Sequence, residues 1–441
     1  MDNWLRNLGN QSTSVQNSLA SQWTNPVDIL SVLMIIGGDV VQRAFAQGTG
    51  KLYVPVCFSF GCVAYAFMGW VNIISHGRLL PPPDYECKVF NLGSGYGRES
   101  KSFIVGRLLR DLEAHETRQL SESDRDYAIK ITVFEAVYNS NGCSRFSWTK
   151  LHLVGLGVTA LQIGISMIPY GVNQDWNILL IVLIGTFLVQ WAGALPQWTA
   201  EKLPHRQNSR SIYALTGGNG SRDVMVIFGY GNCLDLESLA CPQTPQNSRP
   251  WEKFKRRLPL SSKDIESAGR NDTWRSQPLA RRFWPLGKSP LGFAITKISY
   301  GCLSVLWLLL LINVSAAKAF PDSWCLLSVG GIGMFQNAWL ASKELSPRMR
   351  NIPLRKKEHI VARKVMDGIM DFHRTYDCGV ALRDEFFPGK LRDDEDDWWA
   401  GNYADYDNKR ALVPSRGQPR YRDEPRKYER YIYPTPSSSS T

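Results

Sequence analysis

An aspartate and an arginine stand inside an apolar run, and they are the residues best placed to do chemistry. Residues 27–47 contain Gly37-Gly38-Asp39, followed by Gln42 and Arg43. An ionised side chain in hydrocarbon costs at least ~2.5–3.5 kcal/mol, so an intramembrane aspartate is a candidate site by default. Arg43 lies one helical turn from Asp39 on the same face. Lys297 also falls within an apolar run, but close to its inner edge, where its stem reaches back to the interface. Asp39 with Arg43 is therefore the better-matched pair. Two readings fit it: a proton or solute site between helices, or a self-neutralised structural pair packed against glycine. Gln162, Gln190, Gln336 and Asn337 add polar groups to other apolar runs, where interhelical hydrogen bonds are their commoner use.

Other constellations are weaker. Gly95-Tyr-Gly-Arg-Glu-Ser100-Lys101-Ser102 approaches a phosphate-binding loop, but Ser100 replaces the second glycine, whose missing Cβ lets backbone N–H groups wrap phosphate. The nine cysteines form no CxxC pair, and six dispersed histidines offer no zinc cluster, so no metal or cofactor is implied. No Ser/His/Asp, Cys/His or HExxH arrangement has a usable spacing, which argues against an enzyme.

What must position these residues is a membrane bundle. Mean hydropathy is only -0.22, because apolar runs alternate with charged loops. The runs cover residues 27–47, 52–75, 151–170, 177–196, 291–316 and 324–341, most of them near the ~20 residues that cross a ~30 Å hydrocarbon core. Of 51 Lys and Arg, all but Arg43, Lys51, Lys297 and Lys318 lie in the N-terminal tail, two long loops and the C-terminal tail. The positive-inside rule then places both long loops and both termini in the cytoplasm. The uncharged part of the first run, residues 29–38, is short enough for a re-entrant segment. In that case five spans remain and the N-terminal tail moves outside.

The resulting division is a disordered N-tail (1–26), a first pair of spans (27–75), a cytoplasmic α/β loop (76–150), a second pair (151–196), a second cytoplasmic loop (197–290), a third pair (291–341), an amphipathic helical region (342–390) and an acidic, then disordered tail (391–441). Within the first loop, residues 87–92 and 129–138 read as strands and 102–119 as a helix. In the second, 223–228 (DVMVIF) reads as a strand and 234–240 as a helix. Neither loop alone has enough apolar positions for a core, so the two together are expected to build one small α/β layer. In the tail, Val361, Val365, Ile369, Phe372, Tyr376 and Val380 make one helical stripe. The fold class is thus an all-α membrane bundle of about six transmembrane helices with a small cytoplasmic α/β layer.

The formal net charge of +11 is explained by the inner face rather than by nucleic acid, since no basic stripe falls in a recognisable binding fold. Lys253, Lys255, Arg256 and Arg257, with Arg281 and Arg282, form basic-aromatic patches suited to anionic inner-leaflet lipid. The acidic run 393–397 could compete for the first patch as a tail-to-loop latch, although a solvated charge run is the commoner reading.

Five segments resemble a set of multi-spanning membrane proteins of filamentous ascomycete fungi to which no activity is attached. They are NPVDILSVLMIIGGDVVQRAFAQ, PVCFSFGCVAYAF, GRLLPPPDYECKVFNLGSGYGRESKSFIVGRLLRD, GNGSRDVMVIFGYGNCLDLESLA and FFPGKLRDDEDDWW. The resemblance implies a fungal membrane protein and little more; the localisation expected from the spans is an integral membrane one, with plasma membrane and endomembrane both left open. Two function classes remain: a non-enzymatic scaffold or signalling protein that recruits a cytoplasmic protein partner, which the amount of charged chain favours, or a small-solute or proton transporter or channel built on Asp39 and Arg43.

Overall fold

A computed structural model describes residues 37–50, 53–119, 127–137, 150–204, 208–241, 291–316 and 322–413. The chain forms two compact units: Met1–Pro81, Phe146–Leu203 and Gln243–Glu344 make one, and Pro82–Arg145, Pro204–Pro242 and Leu345–Thr441 the other. In chain order the elements are α1 (Gly38–Gly48), α2 (Gly61–Ser75), β1 (Lys88–Asn91), β2 (Tyr96–Glu99), α3 (Phe103–Gln119), β3 (Ile129–Ala136), α4 (Lys150–Asn173), α5 (Asn177–Gly193) and α6 (Pro196–Lys202). There follow β4 (Ile212–Thr216), β5 (Asp223–Phe228), α7 (Leu236–Ala240), α8 (Leu291–Ala316), α9 (Asp322–Ser342), β6 (Leu354–Ala362), α10 (Val365–Tyr376), α11 (Val380–Phe386), α12 (Asp393–Trp399) and α13 (Tyr403–Ala411).

The first unit is helical. Among the described residues two helices are long and apolar enough to cross a membrane, in α4 and α8, and the α5–α6 pair, bent by 41°, makes a third if it counts as one span. This corrects the expectation of six. The run at 52–75 is not one helix: residues 53–60 are non-helical and only Gly61–Ser75 is α-helix. Pro55 explains the break, because it lacks an N–H and pushes Val54 out of the α region. The described part of the first run, α1, has only 11 residues, about 16 Å of helix rise.

Six helices close into a ring. α4 packs on α5, α5 on α8, α8 on α2, α2 on α1, α1 on α9, and α9 back on α4. Residues 53–60 run down its centre, with Val54, Val56, Cys57, Phe58 and Phe60 all buried.

The second unit is a three-layer α/β body. Its sheet has the order β2-β1-β4-β5-β3-β6, antiparallel except for the parallel β3–β5 pair. The joint sheet expected from the two loops is present, and the tail adds a sixth strand to it. Alternation along β3 explains the layers. Ile129, Ile131 and Val133 enter a core with Ile369 and Phe372 of α10 and Leu382 of α11. The intervening Lys130 and Thr132 are buried as well. β6 takes in Arg355, Lys356 and Lys357, and they stay compatible with a sheet edge because Glu135 pairs with Arg355 and Lys357 and Glu116 with Lys356. The helical stripe expected from Val361 to Val380 is therefore split: Val361 belongs to β6 and the helix runs Val365–Tyr376. The acidic run, expected as a solvated charge run, is helical, and Tyr403–Ala411, in the stretch expected to be disordered, is helix as well; α12 packs on α13.

Candidate functional site

The most unusual feature of the helical unit is extended backbone at its centre. A strand without a neighbouring strand has no ladder for its peptide groups, and buried away from water those groups need other partners. Side-chain amides supply them. Gln190 of α5 accepts from Val54 N (3.0 Å) and donates to Val54 O (2.9 Å). Asn337 of α9 accepts from Cys57 N (2.9 Å) and donates to Cys57 O (2.9 Å) and to Ser59 Oγ (3.1 Å). Gln162 of α4 donates to Phe58 O and to Val329 O, each at 2.8 Å. Each two-way amide–peptide pair imitates one rung of a sheet.

Close packing fixes the register of this segment. Pro55 lies against Gly155 and Phe58 against Gly333, where an added Cβ would stand 2.7 Å and 1.8 Å from the segment's backbone. The sequence of contacts, Val54 at Gly193, Phe58 at Gly185 and Phe60 at Gly330, shows descent from the end of the ring where α5 and α9 finish. From Ser342 back to Gly330 is about 18 Å of helix rise. At Gly61 the chain turns and α2 climbs back beside α8. Ser304 donates to Ala66 O (3.3 Å), and the Tyr65 and Tyr300 hydroxyls meet at 2.6 Å.

The returning chain is caught at the end from which it set out. Leu79 N and Leu80 N donate to the buried Glu201 carboxylate at 2.8–3.0 Å, and Gln42 donates to Leu79 O at 2.9 Å. Lys202 donates to Thr49 O (2.6 Å), and Gln47 to Ala341 O and Lys343 O (3.0 and 3.1 Å). Residues 53–75 are thus a re-entrant hairpin with an extended arm and a helical arm. Of the turn at 48–51, expected on the far face, the described residues 48–50 lie instead at the end that also holds Lys202 and Ala341. α1 runs towards that end, the reverse of its expected direction.

The residues singled out from sequence fall as follows. Asp39 and Arg43 are exposed on the outer side of α1, and no ion pair within 4 Å joins either to a described residue. Gln42 is buried and serves Leu79 as above. Lys297 is half-buried, its ammonium 4.8 Å from the Phe293 ring centroid. Lys253, Lys255, Arg256, Arg257, Arg281 and Arg282 lie outside the described residues. The phosphate-loop candidate is not a loop, since Tyr96–Glu99 is strand β2. The amide clamps were visible in the sequence only as stray polar residues, and Pro55 was the unused sign that one run was broken.

In the α/β unit one polar cluster sits beside the start of the parallel pair. The Lys130 ammonium is 2.9 Å from Asp223 Oδ1, an ion pair without a well-directed hydrogen bond. Tyr127 donates to Asp223 at 3.3–3.4 Å, and Tyr85 donates to Glu113 of α3. Burial pushes the Glu113 carboxyl up to about 7; the Tyr85 hydrogen bond and Lys130 pull it down, while Asp223 adds to the rise. Among the described residues no group of three or more His, Cys, Asp and Glu is placed to hold a metal.

A second buried hub is Asp111 of α3. Its Oδ1 accepts from Arg110 at 2.6 and 2.9 Å, and its Oδ2 from Leu345 N at 3.0 Å and from the buried Arg350. A third joins the C-terminal helices: Arg410 is bidentate to Asp371 (2.7 and 2.9 Å), Tyr406 donates to Asp367 (2.7 Å), and Lys364 pairs with Glu395 (2.6 Å).

Known proteins add nothing to this geometry. No protein family, curated protein or solved structure matches the chain.

Proposed function

We propose that the chain is a multi-pass integral membrane protein that acts as a non-enzymatic scaffold or signalling platform through its α/β unit. In this reading the two long loops and the C-terminal region are cytoplasmic, which the distribution of Lys and Arg supports. α9, at 21 residues, has the length of a further span beyond the two or three that qualify by apolarity. The bilayer and its anionic inner-leaflet lipids are the immediate partners, and a cytoplasmic protein is the recruited one.

One observation carries the reading. Gln42, Gln47, Gln162, Gln190, Lys202 and Asn337 are engaged with the backbone of the helical unit itself, whereas a separately cored α/β body is assembled from three chain segments that all depart from membrane helices. Such a body is held at a membrane by several covalent tethers. Its surface, rather than a path through the ring, is then the working part.

The transport alternative keeps one specific support. Extended backbone at membrane depth occurs where it is buried in protein or lines a water-filled cavity, and the second case describes selectivity filters and broken transporter helices. Asp39 and Arg43, being outside the ring, no longer serve that alternative; residues 53–60 do. Reconstitution in liposomes separates the two. The full chain, under a proton or potassium gradient, is expected to leak no faster than protein-free vesicles. A saturable flux above that level replaces the scaffold by a transporter.

A further inference from the structure

The outer face of α1 presents a problem that the ring does not solve. Seven of its 11 residues are buried, but Asp39 and Arg43 are exposed and Val40 beside them is half-buried. Gly37 packs against Gly61 at the tip of the re-entrant hairpin, where a Cβ on Gly37 would lie 2.7 Å from Gly61 Cα. Asp39 is therefore near the tip in height, some 13 Å of helix rise from Gly48. If the ring is in a bilayer, this carboxylate faces hydrocarbon, and no described residue pairs with it, the arginine one turn away included. Arg43, nearer the end, can extend its stem to the interface; a short aspartate cannot.

We propose that this face is the contact between two copies of the chain, with Asp39 of each paired to Arg43 of the other. The inference rests on the membrane reading above. A twofold interface needs a self-complementary patch, in which residue i meets j of the second copy and j meets i. Opposite charges one turn apart on one helix face meet that condition. With the twofold axis along the membrane normal, both helices run the same way and each Asp39–Arg43 pair is offset by about 6 Å, within an arginine's reach. Both charges of both copies are neutralised together. A lipid headgroup or a lone counter-ion would neutralise one and leave the other, so a second copy is the occupant that fits.

A charge exchange tests the pairing. The full chain is reconstituted at low density in liposomes, and its subunit number is counted by single-molecule photobleaching. Wild type is expected to be dimeric. Asp39→Arg and Arg43→Asp each set like charges face to face and are expected to cut the dimer fraction at least tenfold, while the double exchange restores it. Carbonate extraction of the same membranes reports insertion separately, so that a failure of the membrane reading appears as extracted protein. Should a single variant fail to insert, Val40→Cys in the otherwise unaltered chain decides, since oxidation is expected to cross-link two copies through that position. A monomeric wild type, single variants that stay dimeric, a double exchange that restores nothing, or no Val40→Cys cross-link overturns the proposal.

Discussion

Replacing Asn337 by Leu is expected to unfold the helical ring at temperatures where wild type is intact. The side chain satisfies both peptide groups of Cys57 and the Ser59 hydroxyl. Leucine fills a similar volume but leaves a buried N–H and a buried C=O without partners, at about 1–3 kcal/mol each. A loss of roughly 2–6 kcal/mol follows, a large fraction of a marginal stability. Thermal unfolding in detergent, followed by protease resistance of the helical unit, is the measurement. Gln190→Leu removes an equivalent pair from Val54, but that pair is only part-buried and nearer the end of the ring, so its effect is expected to be smaller. Equal and negligible losses in the two variants would mean that residues 53–60 are not held in this way.

Asp111→Ala is expected to be the most damaging single change in the α/β unit. It removes the carboxylate to which both the buried Arg350 and Leu345 N donate. Breaking a buried pair by deleting one partner costs about 3–5 kcal/mol, because the remaining charge is buried and uncompensated. Hydrogen exchange read at the β5 amides localises the effect, and their protection is expected to fall by about two to four orders of magnitude at such a cost. β5 suits the purpose because its neighbours β3 and β4 come from different chain segments. Unchanged β5 protection would show that the Asp111 hub holds only its own segment.

Much of the α/β unit was legible because its strands carry local signals. DVMVIF is bounded by Arg222 and Gly229 and forms strand Asp223–Phe228 as expected. β3 and α3 also fall where their periodicity places them. β6 was hidden: LRKKEHIVA reads as a charged segment, and only its neighbours Glu135 and Glu116 make it a strand. The acidic run 393–397 misled for a related reason, since burial of Glu395 beside Lys364 depends on a partner 31 residues away in sequence.

In the helical unit, hydropathy located apolar chain but not its conformation. The extended arm and the helical arm of residues 53–75 are equally apolar, and hydropathy has no sign for an arm that turns back. The amide clamps are separated from the peptide groups they serve by 104 to 280 residues. Such pairings exist only in three dimensions. For Asp39 and Arg43, spacing correctly gave a shared face but not whether that face points into the ring or away from it.

The central claim is that residues 53–75 enter the helical ring and leave it at the same end. Substituted-cysteine accessibility tests it in sealed vesicles, with single cysteines at Lys51, Gln174 and Lys343 in a cysteine-depleted chain and a membrane-impermeant thiol reagent. A re-entrant hairpin predicts that positions 51 and 343 are labelled from one side and position 174, in the α4–α5 turn, from the other. Labelling of position 51 from the same side as 174 would make 52–75 a crossing segment and contradict the account.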